Sequence, residues 1–202
     1  MTHLSTTSLG DYLDALAAAT PAPGGGSAAG IAGAMGAALV EMVAGLSLAK
    51  SSAAGAEHSG LQRAAIERAR SARVDLLQLA EDDAVAYGAF MDALKLPKSS
   101  DAERTARTSA ISAAAQRAAE VPLATLRAAV AVAEAARSML DKSLLAAASD
   151  LEVAARFARA AGESAAENVE ANLPYIEDPQ TRAEIAHQTS AALTALHRAT
   201  PQ

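Results

Sequence analysis

The groups best placed to move protons in this chain are carboxylates, because cysteine is missing and histidine is scattered. None of the 202 residues is cysteine. That removes thiol nucleophiles, disulfide frameworks, Cys-ligated zinc and iron–sulfur clusters together. The four histidines, His3, His58, His187 and His197, include no i, i+4 pair, so no metal site is expected. The notable carboxylates form the run Glu81-Asp82-Asp83, set among apolar residues. On a helix Asp82 and Asp83 point about 100° apart, so only one can face a given pocket. Asp83 aligns with Tyr87 and Phe90 at i+4 and i+7. On that apolar side, burial raises a carboxyl pKa toward values useful for acid–base work. The competing reading is a solvated acidic turn of a long helix.

Backbone groups offer a second chemistry. Pro21-Ala22-Pro23-Gly24-Gly25-Gly26-Ser27 stops one helix and frees the chain to approach a ligand or another helix closely. Ser27 reads as the N-cap of the helix that follows, and exposed N–H groups at a helix start can hold an anion. Gly26, Gly30, Gly33 and Gly36 recur at spacings of four, three and three. They form one bare strip, suited to a packed helix or to a flat ligand.

The elements that must position these groups are helical. The chain holds 57 alanines, and 51% of it is hydrophobic but only 2% aromatic. Alanine favours helix and disfavours strand. The spacing predicts helices at about Ser8–Ala18, where Ser8 and Asp11 have capping-box spacing, and at about Ala28–Ala49, rich in Gly and Ala and buried. A long helix follows at about Leu61–Leu94. Ser100 with Glu103 opens a fourth helix to about Glu120. Pro122 marks a kink or restart, and a fifth helix reaches about Leu140. Ser149 with Glu152 opens another, to about Ala171, and Asp178-Pro179 starts the last. The expectation is an all-α, single-domain bundle of six or seven helices, without internal repeats.

Charge and composition exclude several roles. A net charge of −6 and five aromatic residues offer no nucleic-acid footprint. The Gly/Ala helix is nearly uncharged, but it carries Glu41 and takes its apolarity from small residues. It therefore reads as a core or interface helix and not as a membrane span. No signal peptide is recognised, and a cytoplasmic protein is expected. So few large side chains bury little area each, which favours covering helix faces with a second copy, in a homodimer at least.

The stretch PAPGGGSAAGIAGAMGAALVEMVAGLS resembles the opening of the formiminotransferase-cyclodeaminase C-terminal family, which includes folate cyclodeaminases and methenyltetrahydrofolate cyclohydrolases. Further landmarks keep the family's order: Glu81-Asp82-Asp83-Ala84 with Tyr87, Leu96-Pro97-Lys98, Arg107 ahead of Ile111, Val121-Pro122-Leu123, Ser149-Asp150 with Val153-Ala154-Ala155, and Asn168-Val169 with Asn172. Two stretches depart from it. The turn after the glycine helix keeps only Lys50 of its basic residues and lacks an aromatic. Ser143-Leu144 stands where the family often has Gly-Asn.

The resemblance implies a tetrahydrofolate derivative as substrate, with no prosthetic group. It implies hydrolysis of the 5,10-methenyl form to the 10-formyl form or, alternatively, cyclodeamination of the formimino form. A non-catalytic module binding a folate-like ligand or a protein is the third possibility. Both reactions need a proton acceptor and donor beside one carbon, and both gain from a negative charge near a cation. Asp83 is the first candidate. Asp150 is the second, although its place in a helix's first turn has a purely structural reading. Asn168 suits a pterin edge or a loop-to-helix tie. For the substrate's anionic tail the candidates are the Pro23–Ser27 backbone (Pro23, Gly24, Gly25, Gly26 and Ser27), Lys50, Lys98 and Arg107. Tyr87 and Phe90 offer flat surface; if they do not line the pocket, the glycine strip must.

Overall fold

Alanine packing governs the architecture. The computed structural model describes residues 4–50 and 57–200. Within these residues run six α-helices: α1 (Leu9–Ala17), α2 (Gly25–Lys50), α3 (Ser59–Leu94), α4 (Asp101–Ser138), α5 (Ala148–Asn172) and α6 (Pro179–Ala199). Among the described residues there is no strand. Helices α2 and α4 each pack against both α3 and α5, so the four close into a bundle, and α6 lies against α4 and α5. The core is mostly alanine. Its largest fully buried side chains are Leu76, Leu126, Met139, Leu151, Ile176 and Leu196.

Small residues let these helices approach closely. The Cα of Gly30 faces the α3 backbone, where a Cβ would fall 2.8 Å from the Leu76 carbonyl oxygen. A Cβ on Gly33 would meet the Leu76 and Ala161 side chains, and one on Gly36 would lie 2.9 Å from the Ala154 carbonyl. The strip from Gly30 to Gly36 is thus consumed by contacts with α3 and α5. It offers no flat surface to a ligand.

By length and composition α2 is apolar enough to cross a membrane. Its packing identifies it as a bundle helix. Its one carboxylate, Glu41, is 2.7 Å from Arg73 and 3.4 Å from Arg70 on α3.

Three sequence expectations hold at the helix ends. Ser8 accepts the Asp11 N–H, Ser100 and Glu103 form a full capping box, and Asp178 accepts from the Gln180 and Thr181 N–H groups. Three others need correction. Helix α2 begins at Gly25, which puts Ser27 inside its first turn and not at the cap. The Ser149–Glu152 box does not form: a 3-10 turn, Leu145–Ala147, delivers the chain already wound, so α5 starts at Ala148 with Ala147 at the cap position. Helix α4 is continuous through Pro122. A proline lacks the N–H that would bond the carbonyl four residues back, here that of Ala118. The Asn172 amide, from the end of α5, donates to that carbonyl at 3.1 Å instead.

Candidate active site

The start of α2 lacks a local side-chain cap. The Ala28 N–H bonds the Gly24 carbonyl at 3.0 Å, which makes Gly24 the capping position. The N–H groups of the following first turn then need an acceptor from elsewhere. Asp83 supplies one from α3, its carboxylate accepting the Ser27 N–H. The contact depends on Gly26. A Cβ there would sit 2.1 Å from Asp83 Oδ1 and 2.4 Å from its Cγ. The carboxylate occupies the volume a side chain would fill. Ser27 itself is buried, with its Oγ 3.3 Å from the Tyr12 hydroxyl of α1.

Around this carboxylate lies a cavity of about 190 Å³, lined by Pro21, Ala22, Gly24, Gly25, Gly26, Asp83, Ala86, Tyr87, Phe90, Ala118, Asn168 and Asn172. Burial pushes the Asp83 pKa above its ordinary value of 3.8, and the Ser27 N–H opposes that rise. Phe90 is set by an edge-to-face contact with Tyr175, ring centroids 5.0 Å apart. Tyr87 is 37% exposed and forms part of the open wall.

The asparagines are fixed by backbone bonds. Asn172 Nδ2 donates to the Ala118 carbonyl at 3.1 Å and to the Asn168 carbonyl at 2.8 Å, and Asn168 Nδ2 donates to the Ser164 carbonyl at 2.8 Å. Both Asn172 amide protons are therefore engaged, which leaves its Oδ1 as an acceptor. With Asp83 and the Asn168 Oδ1, the lining is rich in acceptors, and among the described residues no basic one belongs to it. Such a wall suits a cationic or donor-bearing group.

The structure thus brings together Gly24, Gly25, Gly26, Asp83, Tyr87 and Asn168, as the sequence predicts. Pro23 sits between two lining residues, in a cis peptide bond after Ala22. Ser27 touches the site through its N–H. Four predicted residues stand outside the cavity. Lys50 ends α2, roughly 37 Å along the helix from Gly25 at 1.5 Å per residue. Lys98 is exposed in the turn after α3. Arg107 closes the end of α3 by donating to the Leu94 carbonyl at 3.0 and 3.3 Å. Asp150 lies in the first turn of α5, roughly 27 Å along that helix from Asn168. The lining residues that sequence reasoning did not assign to the site are Pro21, Ala22, Ala86, Ala118 and Asn172. The usable signal for the last two was Pro122, because its orphaned carbonyl must find a donor.

Comparisons with known proteins identify the family. The sequence profile of the family described as formiminotransferase-cyclodeaminase matches residues 8–191. A methenyltetrahydrofolate cyclohydrolase of Methylorubrum extorquens is 40% identical over 167 residues, covering 83% of this chain and 79% of that protein. The formimidoyltransferase-cyclodeaminase of Gallus gallus is 32% identical over 190 residues, which span 94% of this chain but only 35% of the longer protein. The crystal structure of a formiminotetrahydrofolate cyclodeaminase from Thermotoga maritima superimposes with a TM-score of 0.85 at 27% identity, covering 96% of this chain and 92% of that one. With one profile and one fold running through nearly all of its helices, the chain belongs to the formiminotransferase-cyclodeaminase family.

Proposed function

We propose that the protein hydrolyses 5,10-methenyltetrahydrofolate to 10-formyltetrahydrofolate. The observation that carries this reading is Asp83: a half-buried carboxylate of raised pKa, in a cavity with an acceptor-rich wall beside Tyr87 and Phe90. The methenyl group is a delocalised cation bridging N5 and N10, and a fixed carboxylate beside it stabilises that charge. Asp83 takes a proton as water oxygen bonds the bridging carbon. It returns that proton to N5 as the carbon–N5 bond breaks. The hydroxyl proton goes to solvent as the formyl carbonyl forms, so one proton is released per turnover. The asparagine oxygens accept from the donor edge of the pterin, and the two aromatic rings border its flat face.

The cyclohydrolase relative, at 40% identity over most of both chains, favours hydrolysis. The fold neighbour and the vertebrate relatives favour cyclodeamination as the second reading. In that reaction N10 attacks the formimino carbon and ammonia leaves, and the same carboxylate serves. Purified protein is given 5,10-methenyltetrahydrofolate and the loss of its near-ultraviolet absorbance is followed. Acceleration over buffer, abolished in Asp83→Asn, is expected. Absence of acceleration overturns hydrolysis, and ammonia release from the formimino substrate would then identify the deaminase.

The assembly belongs to this reading too. The face of α2 turned away from the bundle is apolar throughout, with Met35 44%, Met42 42% and Leu46 42% exposed. An exposed apolar face of this kind calls for cover, and a second copy supplies it in a homodimer. Sedimentation at micromolar concentration should find that dimer; a stable monomer would refute it.

A further inference from the structure

A second concentration of charged groups lies away from Asp83. Where the last turns of α4 and α6 meet the first half of α5, a cavity of about 560 Å³ is lined by Arg137, Arg156, Arg159 and Arg198. Four guanidinium groups around one concavity stand out in a chain of net charge −6. A larger cavity of about 680 Å³ between α4 and α6 makes the contrast, since its single Arg127 faces Glu120, Asp178 and Glu184. Sign of charge, and not size, sets the arginine cavity apart. Its floor is apolar, formed in part by Leu140 and Leu151.

Two of the four charges are already neutralised. Arg156 pairs with Glu152 at 3.3 Å, and Arg159 with Glu163 at 2.9 Å. The other two are not. Among the described residues no carboxylate pairs with Arg137 or Arg198. Arg137 is also oriented, because its guanidinium donates to the Arg198 backbone carbonyl at the end of α6. Two unneutralised guanidinium groups over an apolar floor match a small ligand carrying two anionic groups, which planar N–H forks hold in bidentate fashion. The Asp83 cavity does not match such a ligand, because among the described residues no basic one lines it. Along α5 the two sites are separated by roughly 18 Å between Arg156 and Asn168.

We infer that the arginine cavity is a second binding site, specific for small dianions of the diphosphate or dicarboxylate class and independent of the Asp83 site. It does not rest on the folate reading. The test uses inorganic pyrophosphate and succinate as probes, titrated calorimetrically into the full-length protein at matched ionic strength. Saturable one-site binding of at least one probe, weakened by added salt, is expected. Which probe binds tells phosphate from carboxylate. Arg137→Gln with Arg198→Gln should weaken it at least tenfold, since a charge-assisted bond contributes about tenfold or more. Both side chains are on the surface, so the double variant should keep its helical circular dichroism. Asp83→Asn should bind the probe unchanged. Absence of binding by either probe overturns the proposal. So does binding that survives the double arginine substitution, and so does binding lost in Asp83→Asn, which would place the probe in the other cavity.

Discussion

Replacing Gly26 by alanine tests whether the position of the Asp83 carboxylate, and not merely its presence, matters. The new Cβ would lie 2.1 Å from Oδ1, and real Cβ contacts essentially never fall under 3.0 Å. One group must therefore retreat by about 1 Å. The helix backbone is held by its hydrogen bonds, whereas a carboxylate moves by rotating about its side-chain bonds, so Asp83 yields. Two stability effects then oppose each other. Alanine in place of glycine in a helix contributes up to about 1 kcal/mol, and loss of the cap on the Ser27 N–H costs about 1 kcal/mol. Net stability should change by less than about 1 kcal/mol. The rate should respond far more, because a 1 Å displacement of a catalytic group costs on the order of 100-fold. Thermal denaturation and the methenyl absorbance assay are run on the same preparation. An unshifted melting curve with kcat/KM down about 100-fold is expected. Gly45→Ala, on the same helix and outside the cavity, is the control, since a Cβ there meets nothing within 4 Å. A Gly26→Ala protein that folds normally and keeps kcat/KM within threefold of the parent would refute the role given to this carboxylate.

Other substitutions separate catalysis from packing. Gly30→Ala drives a methyl into backbone, 2.8 Å from the Leu76 carbonyl oxygen; it should cost about 1–3 kcal/mol in urea unfolding while the folded fraction keeps its turnover. Asp83→Asn should lower kcat by about 100-fold or more and yet stabilise the protein at neutral pH. Folding raises this carboxyl's pKa above 3.8, so its ionised form weakens the native state once pH exceeds the raised value. The gain, up to about 1 kcal/mol after solvent screening, should disappear as pH falls below 3.8, as melting curves across pH would show. Asn172→Leu leaves the Ala118 carbonyl without its 3.1 Å donor, which should cost about 1–3 kcal/mol and raise KM more than it lowers kcat.

The site is legible in sequence wherever its geometry is local. Asp83, Tyr87 and Phe90 share one helix, and the i, i+4, i+7 rule places them on one wall. The rest depends on contacts between elements. Ser27 looks like a cap because serine before an apolar run usually is one; the real acceptor arrives from Asp83, 56 positions later, and no local pattern records it. Lys50 sits at the far end of the glycine helix, and that unbroken 26-residue helix holds it roughly 37 Å from Gly25. Arg107 and Asp150 fit a substrate site by residue type, yet one closes α3 and the other occupies the first turn of α5. The separate fifth helix expected after Pro122 is missing for a related reason. A lone proline predicts a break, and only Asn172, more distant in sequence, supplies the missing donor.

The scarcity of aromatic residues has a structural counterpart in how the carboxylate is tuned. Desolvation raises the Asp83 pKa and the α2 N-terminus lowers it, so its proton affinity is set by the depth of one cavity and by one N–H. A single backbone donor leaves acceptor capacity on the carboxylate for substrate or water. A second donor would both consume it and hold the group more strongly ionised. The turn must then be fixed without touching the carboxylate. Tyr12 is the one buried residue of α1 and reaches the Ser27 hydroxyl, while Gly26 presents bare Cα beneath the oxygens. Bulkier residues at the start of α2 would close the gap that admits Asp83. An alanine-and-glycine helix is therefore what allows an acidic side chain from one helix to cap another and still face a ligand.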